Sequence, residues 1–150
     1  MLRCGLLGET LGHSYSPMIH HELGEYDYRL FEIPKEDLDA FLRSDCWDGL
    51  NVTIPYKRDV MAFLDSVSPE AEAIGAVNCI RRTADGRLAG HNTDVIGLRA
   101  ALNELLGAAQ PGQALVLGTG GASQAVQYAL AERDIPFALV SVSYTHLTLP

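Results

Sequence analysis

The sequence predicts an α/β protein in which an N-terminal α/β domain is followed by the start of a doubly wound parallel sheet. Short apolar runs typical of strands alternate with segments of helical spacing along most of the 150 residues. In the first part, the turn signal Ala84-Asp85-Gly86 lies between two apolar segments and predicts a hairpin. In the second part, a glycine-rich turn joins a continuous apolar strand to a helix, as in the βαβ units of parallel sheets.

Composition and charge favour a globular protein and exclude several function classes. Hydrophobic residues make up 47% of the chain and charged residues 20%, which allows a core to form. The formal net charge of −8 argues against a nucleic-acid surface, which needs a basic patch. Cys4, Cys46 and Cys79 lack Cys-x-x-Cys spacing and predict free thiols in a reducing cytoplasm. No apolar run approaches the roughly 20 residues of a membrane span, and residues 1–8 do not resemble a signal peptide.

The elements of the first part follow from apolar periodicity and turn residues. Ser16-Pro17 predicts a helix start, with Ser16 at the N-cap and Pro17 at the first helical position. Pro55 ends the third predicted strand because proline cannot donate to a strand ladder. The predicted strands are residues 4–8, 26–33, 49–54, 77–82 and 87–90, and the other predicted helices are residues 34–42, 57–64 and 69–74.

The second part begins with an amphipathic helix over residues 94–106, for which Gly107 is a natural C-cap. A polar, turn-rich segment follows, and we place the domain boundary there or within the preceding helix, giving domains 1–107 and 108–150. The remaining pattern predicts a strand at 114–117, a helix at 122–133 and a strand at 137–142. A single βαβ unit would leave sheet edges exposed, so we expect a chain truncated at its C-terminus. Residues 144–150 are set aside as a tail foreign to the fold.

The glycine-rich turn is a candidate cofactor site. Gly118 and Gly120 allow a tight turn and close backbone approach, and the following helix offers N–H groups and its positive dipole end to a pyrophosphate. The spacing Gly-x-Gly-Gly-x-x-x-Ala is a variant of the dinucleotide signature, and the flanking strand and helix favour it over a plain turn without a ligand. These features predict a Rossmann-like dinucleotide-binding domain. Residues 140–144 carry no acidic or basic side chain to choose between NAD and NADP.

Two polar clusters in the first part contain more hydrogen-bonding side chains than a connecting loop requires, so they are candidate binding residues. Ser14 and Ser16 can direct their hydroxyls the same way from an extended segment; an N-cap explains Ser16 but not Ser14. Asn51 and Thr53 alternate with apolar residues and share one strand face, with Lys57 close by. A half-exposed edge strand followed by a solvated lysine is the alternative interpretation of the second cluster.

Two further polar motifs follow. Asn78 lies in an apolar segment, where an asparagine either satisfies backbone groups or hydrogen-bonds a ligand hydroxyl through its donor and its acceptor. Asp94 ends an Asn-Thr-Asp motif before a helix, where it is either a structural capping carboxylate or a site residue. The histidines show no ligand-like spacing, so no metal site is expected.

Taken in order, the motifs Ser-x-Ser-Pro, Asn-Val-Thr-x-Pro-x-Lys, Gly-Ala-Val-Asn, Asn-Thr-Asp-x-x-Gly and Gly-x-Gly-Gly-Ala resemble the shikimate dehydrogenase family over residues 2–143. The resemblance implies a substrate domain followed by a cofactor domain. It implies NADP-dependent reversible reduction of 3-dehydroshikimate to shikimate, in the cytoplasm, on the route to chorismate and aromatic amino acids. A quinate/shikimate dehydrogenase using NAD and a catalytically inactive binding fragment remain the alternatives. The oligomeric state stays open, a homodimer being one candidate.

The resemblance also implies residue roles. Lys57 would be the catalytic acid/base group, paired with Asp94. An ammonium stabilises the negative charge that hydride transfer places on a ketone oxygen and delivers the proton, and a neighbouring carboxylate favours its charged form. Cys79 replaces the family's usual Thr, and Tyr144 its usual NADP-binding Arg. The implied substrate ligands are Ser14, Ser16, Asn51, Thr53, Asn78 and Asp94, and the implied phosphate loop is Gly118, Thr119, Gly120, Gly121 and Ala122.

Overall fold

The computed structural model describes residues 1–12 and 14–141, and the chain divides after Thr93 into two compact units. The domain boundary that the sequence places after residue 107 stays a prediction. The helix over residues 94–106 belongs to the second unit because Leu102 and Leu106 pack against that unit's own apolar cluster. The predicted tail at 144–150 lies outside the described residues.

The first unit is an α/β layer structure, as predicted. Its elements are β1 (Arg3–Gly8), α1 (Ser16–Leu23), β2 (Asp27–Glu32), α2 (Leu38–Arg43), β3 (Gly49–Val52), β4 (Ser66–Val67), α3 (Pro69–Ile74), β5 (Cys79–Arg82) and β6 (Leu88–His91), with 3-10 turns at Lys35–Asp37 and Asp59–Phe63. The six strands form one sheet in the order β2-β1-β3-β5-β6-β4. β1 pairs in parallel with β2 and β3, β4 pairs in parallel with β6, and β5 pairs antiparallel with β3 and β6.

The predicted hairpin is confirmed. Arg82 of β5 lies opposite Leu88 of β6, and the Thr83 N–H donates to the Arg87 carbonyl at 2.9 Å. Gly86 has a φ of +82°, which an asparagine or glycine adopts far more readily than other residues.

The core of the first unit lies on one face of its sheet. Leu50 and Val52 alternate with half-buried neighbours on β3, so their side chains point to the same face. Leu42 of α2 and Trp47 are fully buried in the same cluster. The Trp47 indole N–H donates to the Phe41 carbonyl at 3.1 Å, so its one polar group is satisfied.

The start of α1 differs from the prediction. Ser16 is the first helical residue and makes no side-chain cap, and Pro17 follows it. The hydroxyl that accepts a backbone N–H there is that of Ser14, whose Oγ lies 3.2 Å from the Ser16 nitrogen. The N-cap prediction for Ser16 is therefore wrong. The Ser14 hydroxyl accepts the backbone hydrogen bond at the start of α1 instead, which the sequence did not predict.

The segment after β3 also departs from the predicted elements. β3 ends at Val52 because the chain turns there, with the Tyr56 N–H donating to the Thr53 carbonyl at 3.0 Å. The predicted helix over 57–64 is a 3-10 turn at Asp59–Phe63, in which Val60 is buried. The two-residue strand β4 carries no periodic pattern and was not predicted.

The second unit contains α4 (Asp94–Leu106), β7 (Ala114–Leu117), α5 (Gly121–Glu132) and β8 (Phe137–Val140). β7 and β8 pair in parallel, which confirms the βαβ unit. Gly107 has a φ of +52° and its N–H donates to the Asn103 carbonyl at 2.9 Å, as expected of a C-cap. Within residues 1–12 and 14–141, no helix has the length and apolar character needed to cross a membrane.

Candidate functional site

The polar motifs of the first unit meet beside the carboxyl ends of β1 and β3. These two strands run parallel, and the Thr53 N–H continues the ladder to the Leu7 carbonyl at 2.9 Å. The Val52 N–H donates to the Asn78 carbonyl at 2.8 Å, which joins the Asn-Val-Thr motif to the Gly-Ala-Val-Asn motif. Two motifs separated along the chain therefore share one end of the sheet.

Asn78 joins these motifs to a further one. Its side chain is 8% exposed, and its Oδ1 accepts from the Thr93 N–H at 2.8 Å and from the Thr93 hydroxyl at 3.1 Å. Asn92, which is 3% exposed, donates from Nδ2 to the Ala76 carbonyl at 2.9 Å. Thr93 and Asn92 were not among the predicted site residues. The sequence indicated them only through the motif Asn-Thr-Asp, and helix capping explained that motif equally well.

Lys57 is held at the same place through its backbone. Its carbonyl accepts from the Val77 N–H at 2.7 Å, directly beside Asn78. Tyr56, fully buried, anchors this segment by donating from its hydroxyl to the Ile33 carbonyl at 2.6 Å. The Lys57 residue is half-buried. Asp94 is the first residue of α4 in the second unit, and its pairing with Lys57 stays a prediction.

The two serines connect to this group through a residue that the sequence did not single out. Tyr28 donates from its hydroxyl to Asn51 Oδ1 at 2.8 Å and also hydrogen-bonds the Ser16 side chain. Burial raises the pKa of Tyr28 to about 12, although the bond from Ser16 acts in the opposite direction. Because Tyr28 and Asn51 are 23 positions apart on strands that both flank β1, no local pattern could have revealed the link.

A cavity of about 330 Å³ adjoins Asn51 and Tyr28 on this face of the sheet. Cys4, Cys79 and His20 are among its lining residues. Both cysteines are free thiols, as predicted, and burial raises the pKa of each. A raised pKa favours the neutral thiol, which is a weaker nucleophile than the thiolate.

The second unit presents the glycine-rich turn at the start of α5. Gly118 has a φ of +104°, a conformation that favours glycine, and its N–H donates to the Val140 carbonyl at 2.8 Å. Nothing lies within 4 Å of where a Cβ on Gly120 would stand, so the backbone is open to a ligand. Thr119, Gly121 and Ala122 are exposed as well. The residues present therefore fit a phosphate-bearing cofactor at a helix N-terminus.

The described residues contain no group of three or more His, Cys, Asp or Glu side chains arranged to hold a metal ion.

Comparisons with a family model, with curated proteins and with solved structures all point to one family. Residues 6–80 match the family described as shikimate dehydrogenase substrate binding domain. Shikimate dehydrogenase (NADP(+)) from Clostridium beijerinckii is 45% identical over 139 residues, which is 87% of this chain and 51% of that protein. The chain spans about half the length of the curated relatives it matches.

Solved structures agree. Shikimate 5-dehydrogenase from Thermus thermophilus, in complex with NADP(H) and shikimate, is 41% identical with a TM-score of 0.84, over 95% of this chain and 57% of that chain. Quinate dehydrogenase from Corynebacterium glutamicum, in complex with NAD, is 31% identical with a TM-score of 0.82, over 95% and 55% respectively. The match to the substrate-binding domain covers half of the 150 residues and includes Ser14, Asn51, Lys57 and Asn78. The chain therefore belongs to the shikimate dehydrogenase family.

Proposed function

We propose that the chain is the substrate-binding part, with the beginning of the cofactor-binding part, of a cytoplasmic NADP-dependent shikimate dehydrogenase. The reaction is the reversible reduction of 3-dehydroshikimate to shikimate, on the route to chorismate and aromatic amino acids. One observation carries the proposal: backbone hydrogen bonds bring Thr53, Lys57 and Asn78 to one end of the β1–β3–β5 sheet. The Clostridium beijerinckii relative is a shikimate dehydrogenase and the Thermus thermophilus relative binds shikimate, which supports the same ligand here.

The side chains at this place suit a polyhydroxylated ring acid. Amide and hydroxyl groups, such as those of Asn51, Thr53 and Asn78, both donate and accept, as ring hydroxyls require. The hydroxyls of Ser14 and Ser16 are proposed to hold the carboxylate, with Ser16 exchanging its bond to the Tyr28 oxygen for one to the carboxylate when the substrate binds. The formal net charge of −8 does not prevent anion binding, because a local cation such as Lys57 dominates at short range.

Lys57 is proposed to hold and move the proton. In reduction, its ammonium stabilises charge developing on the substrate oxygen and donates a proton from Nζ. In oxidation, the neutral amine accepts the hydroxyl proton. Asp94 is proposed to orient the ammonium and to favour its charged form.

The cofactor would be held by Gly118, Thr119, Gly120, Gly121 and Ala122 at the N-terminus of α5. When bound, the nicotinamide supplies the hydride chemistry. The chain's own contribution is an open backbone at Gly120 and the N–H groups at the very start of α5, which would bind phosphate oxygens.

Quinate oxidation with NAD is the second candidate, since the quinate dehydrogenase of Corynebacterium glutamicum has the same fold at 31% identity. Quinate has an additional ring hydroxyl, so a site that accepts it must satisfy one more polar group. The higher identity to the shikimate enzymes, 45% for the Clostridium beijerinckii protein, favours shikimate.

The test is turnover by a chimera that joins residues 1–141 of this chain to the C-terminal half of the Clostridium beijerinckii enzyme. Absorbance of the reduced cofactor is followed with shikimate and quinate, each with NADP and NAD. We expect shikimate with NADP to give the highest kcat/KM. Preference for quinate would replace the proposal by the second candidate. A folded chimera inactive on both would contradict both, provided that the parent Clostridium enzyme is active in the same assay.

A further inference from the structure

Tyr28 and Asn51 reach each other across β1, from the edge strand β2 to β3. Tyr28 on β2 lies opposite Cys4 of β1, and Asn51 on β3 lies opposite Leu6 of β1. Residues two apart on a strand face the same side, so both side chains project from one face of the sheet. Strands two apart are separated by roughly 10 Å, a span that a tyrosine and an asparagine side chain together can bridge. The 2.8 Å bond between the Tyr28 hydroxyl and Asn51 Oδ1 is this bridge.

The direction of the bond determines what Asn51 offers a ligand. A phenol has one proton to donate, and Ser16 occupies the accepting side of the same oxygen. The proton of Tyr28 is therefore given to Asn51 Oδ1. The amide's oxygen is then engaged, and its two N–H donors are on the opposite branch of the side chain.

We propose that Tyr28 is a positioning residue for substrate binding, whose hydroxyl links Ser16 to Asn51 and holds the Asn51 amide so that its NH2 group donates to a substrate oxygen. This inference rests on the proposed function for the identity of the ligand. It assigns a role to a residue that would contact the substrate only through Asn51 and Ser16. It also predicts that the ligand atom at Asn51 is an acceptor, such as a hydroxyl oxygen.

The Tyr28 ring is held firmly enough for this role. It stacks on the His20 ring with centroids 3.7 Å apart and planes 9° from parallel. Tyr26 lies edge-on to it, and the Tyr26 hydroxyl is 2.5 Å from His20 Nδ1. Burial holds the pKa of Tyr28 at about 12, so the hydroxyl remains a donor at neutral and mildly alkaline pH.

The test compares Tyr28→Phe with Tyr26→Phe, which removes a neighbouring hydroxyl that bonds His20 and not Asn51. In the ligand-free chain labelled with 15N, we expect Tyr28→Phe to shift the Asn51 side-chain NH2 resonances and Tyr26→Phe to leave them nearly unchanged. Equal shifts in the two variants would overturn the proposed link. This measurement needs no substrate, so it tests the link between Tyr28 and Asn51 even if the chain does not bind shikimate.

The second readout is the dissociation constant for shikimate, measured by NMR titration. Loss of one positioning hydrogen bond predicts roughly two- to tenfold weaker binding by Tyr28→Phe. In an Asn51→Ala background, the same substitution should change the constant by less than about twofold, because the amide that Tyr28 positions is absent. Equal losses in both backgrounds would overturn the role of Tyr28, whereas absence of shikimate binding by the folded wild-type chain would count against the proposed function.

Discussion

Replacing Tyr56 by Phe tests how the segment that carries Lys57 is anchored. Tyr56 is fully buried, and its hydroxyl donates to the Ile33 carbonyl at 2.6 Å. The variant keeps the ring and removes one buried hydrogen bond. A net hydrogen bond contributes about 1 kcal/mol, and an unsatisfied partner adds to the loss, so we expect the free energy of unfolding to fall by about 1–2 kcal/mol. Burial raises the pKa of Tyr56, so the hydroxyl is a neutral donor at neutral pH.

The assay is urea unfolding followed by tryptophan fluorescence. Trp47 is the one tryptophan of the 150 residues and is fully buried in the first unit, so its signal reports on that unit. The midpoint should fall with an unchanged m value. Tyr15→Phe is the matched control, since Tyr15 is 71% exposed, and it should stay within about 0.5 kcal/mol of the wild type. A Tyr56→Phe chain as stable as the Tyr15→Phe control would refute the anchoring argument.

Four further predictions follow from the same structure. Gly5→Ala places a Cβ against a carbonyl oxygen of β2 and should cost about 1–3 kcal/mol in the same unfolding assay. The hydrogen bonds from Arg3 lower the pKa of Asp48 from 3.8 to about 2, so its contribution is full above pH 3.8 and is lost as the pH falls through 2; Asp48→Asn should flatten the fall in stability across that range. In the chimera, Lys57→Ala should lower kcat by roughly 10²–10⁴-fold with a smaller change in shikimate affinity. Asp94→Asn should weaken both the rate and the affinity.

The Gly5 and Lys57 substitutions each have a matched control. Gly97→Ala adds a Cβ that meets nothing within 4 Å and should stabilise α4 by about 0.5–1 kcal/mol, as followed by far-UV circular dichroism. Lys35→Ala removes the other lysine, whose side chain is 70% exposed in an ion pair with Asp59, and should leave kcat unchanged. Near-normal turnover by Lys57→Ala would remove Lys57 from the mechanism. Unchanged kinetics for Asp94→Asn would contradict its pairing with Lys57. An acid profile of Asp48→Asn identical to the wild type, or a fully stable Gly5→Ala, would contradict the contacts described.

Local signals predicted the elements whose ends are determined by local chemistry. The helix Pro69–Ile74 begins and ends where predicted, because Ser68 accepts from the Ala71 N–H at 3.3 Å and Gly75 takes a left-handed φ of +69°. The hairpin and the βαβ unit are confirmed for the same reason: an Asp-Gly turn and a strand–glycine–helix pattern are short-range signals.

Features that depend on tertiary contacts were missed. The amphipathic pattern of residues 94–106 shows that the helix has an apolar face, but not that Leu102 and Leu106 join the cluster of the second unit. The roles of Tyr28 and Thr93 depend on partners 23 and 15 positions away. The order of the strands in the sheet determines such contacts. Local patterns in a single sequence do not reveal that order.

The most direct test of the account is a titration of shikimate into the 15N-labelled chain. The account predicts saturable shifts concentrated at the backbone amides of Ser14, Ser16, Asn51, Thr53, Lys57 and Asn78. The side-chain amides of Asn51 and Asn78 should shift as well. Lys35 and its surroundings should stay unchanged. A folded chain with no shifts at millimolar shikimate, or with shifts confined to other parts of the first unit, would contradict the proposed site.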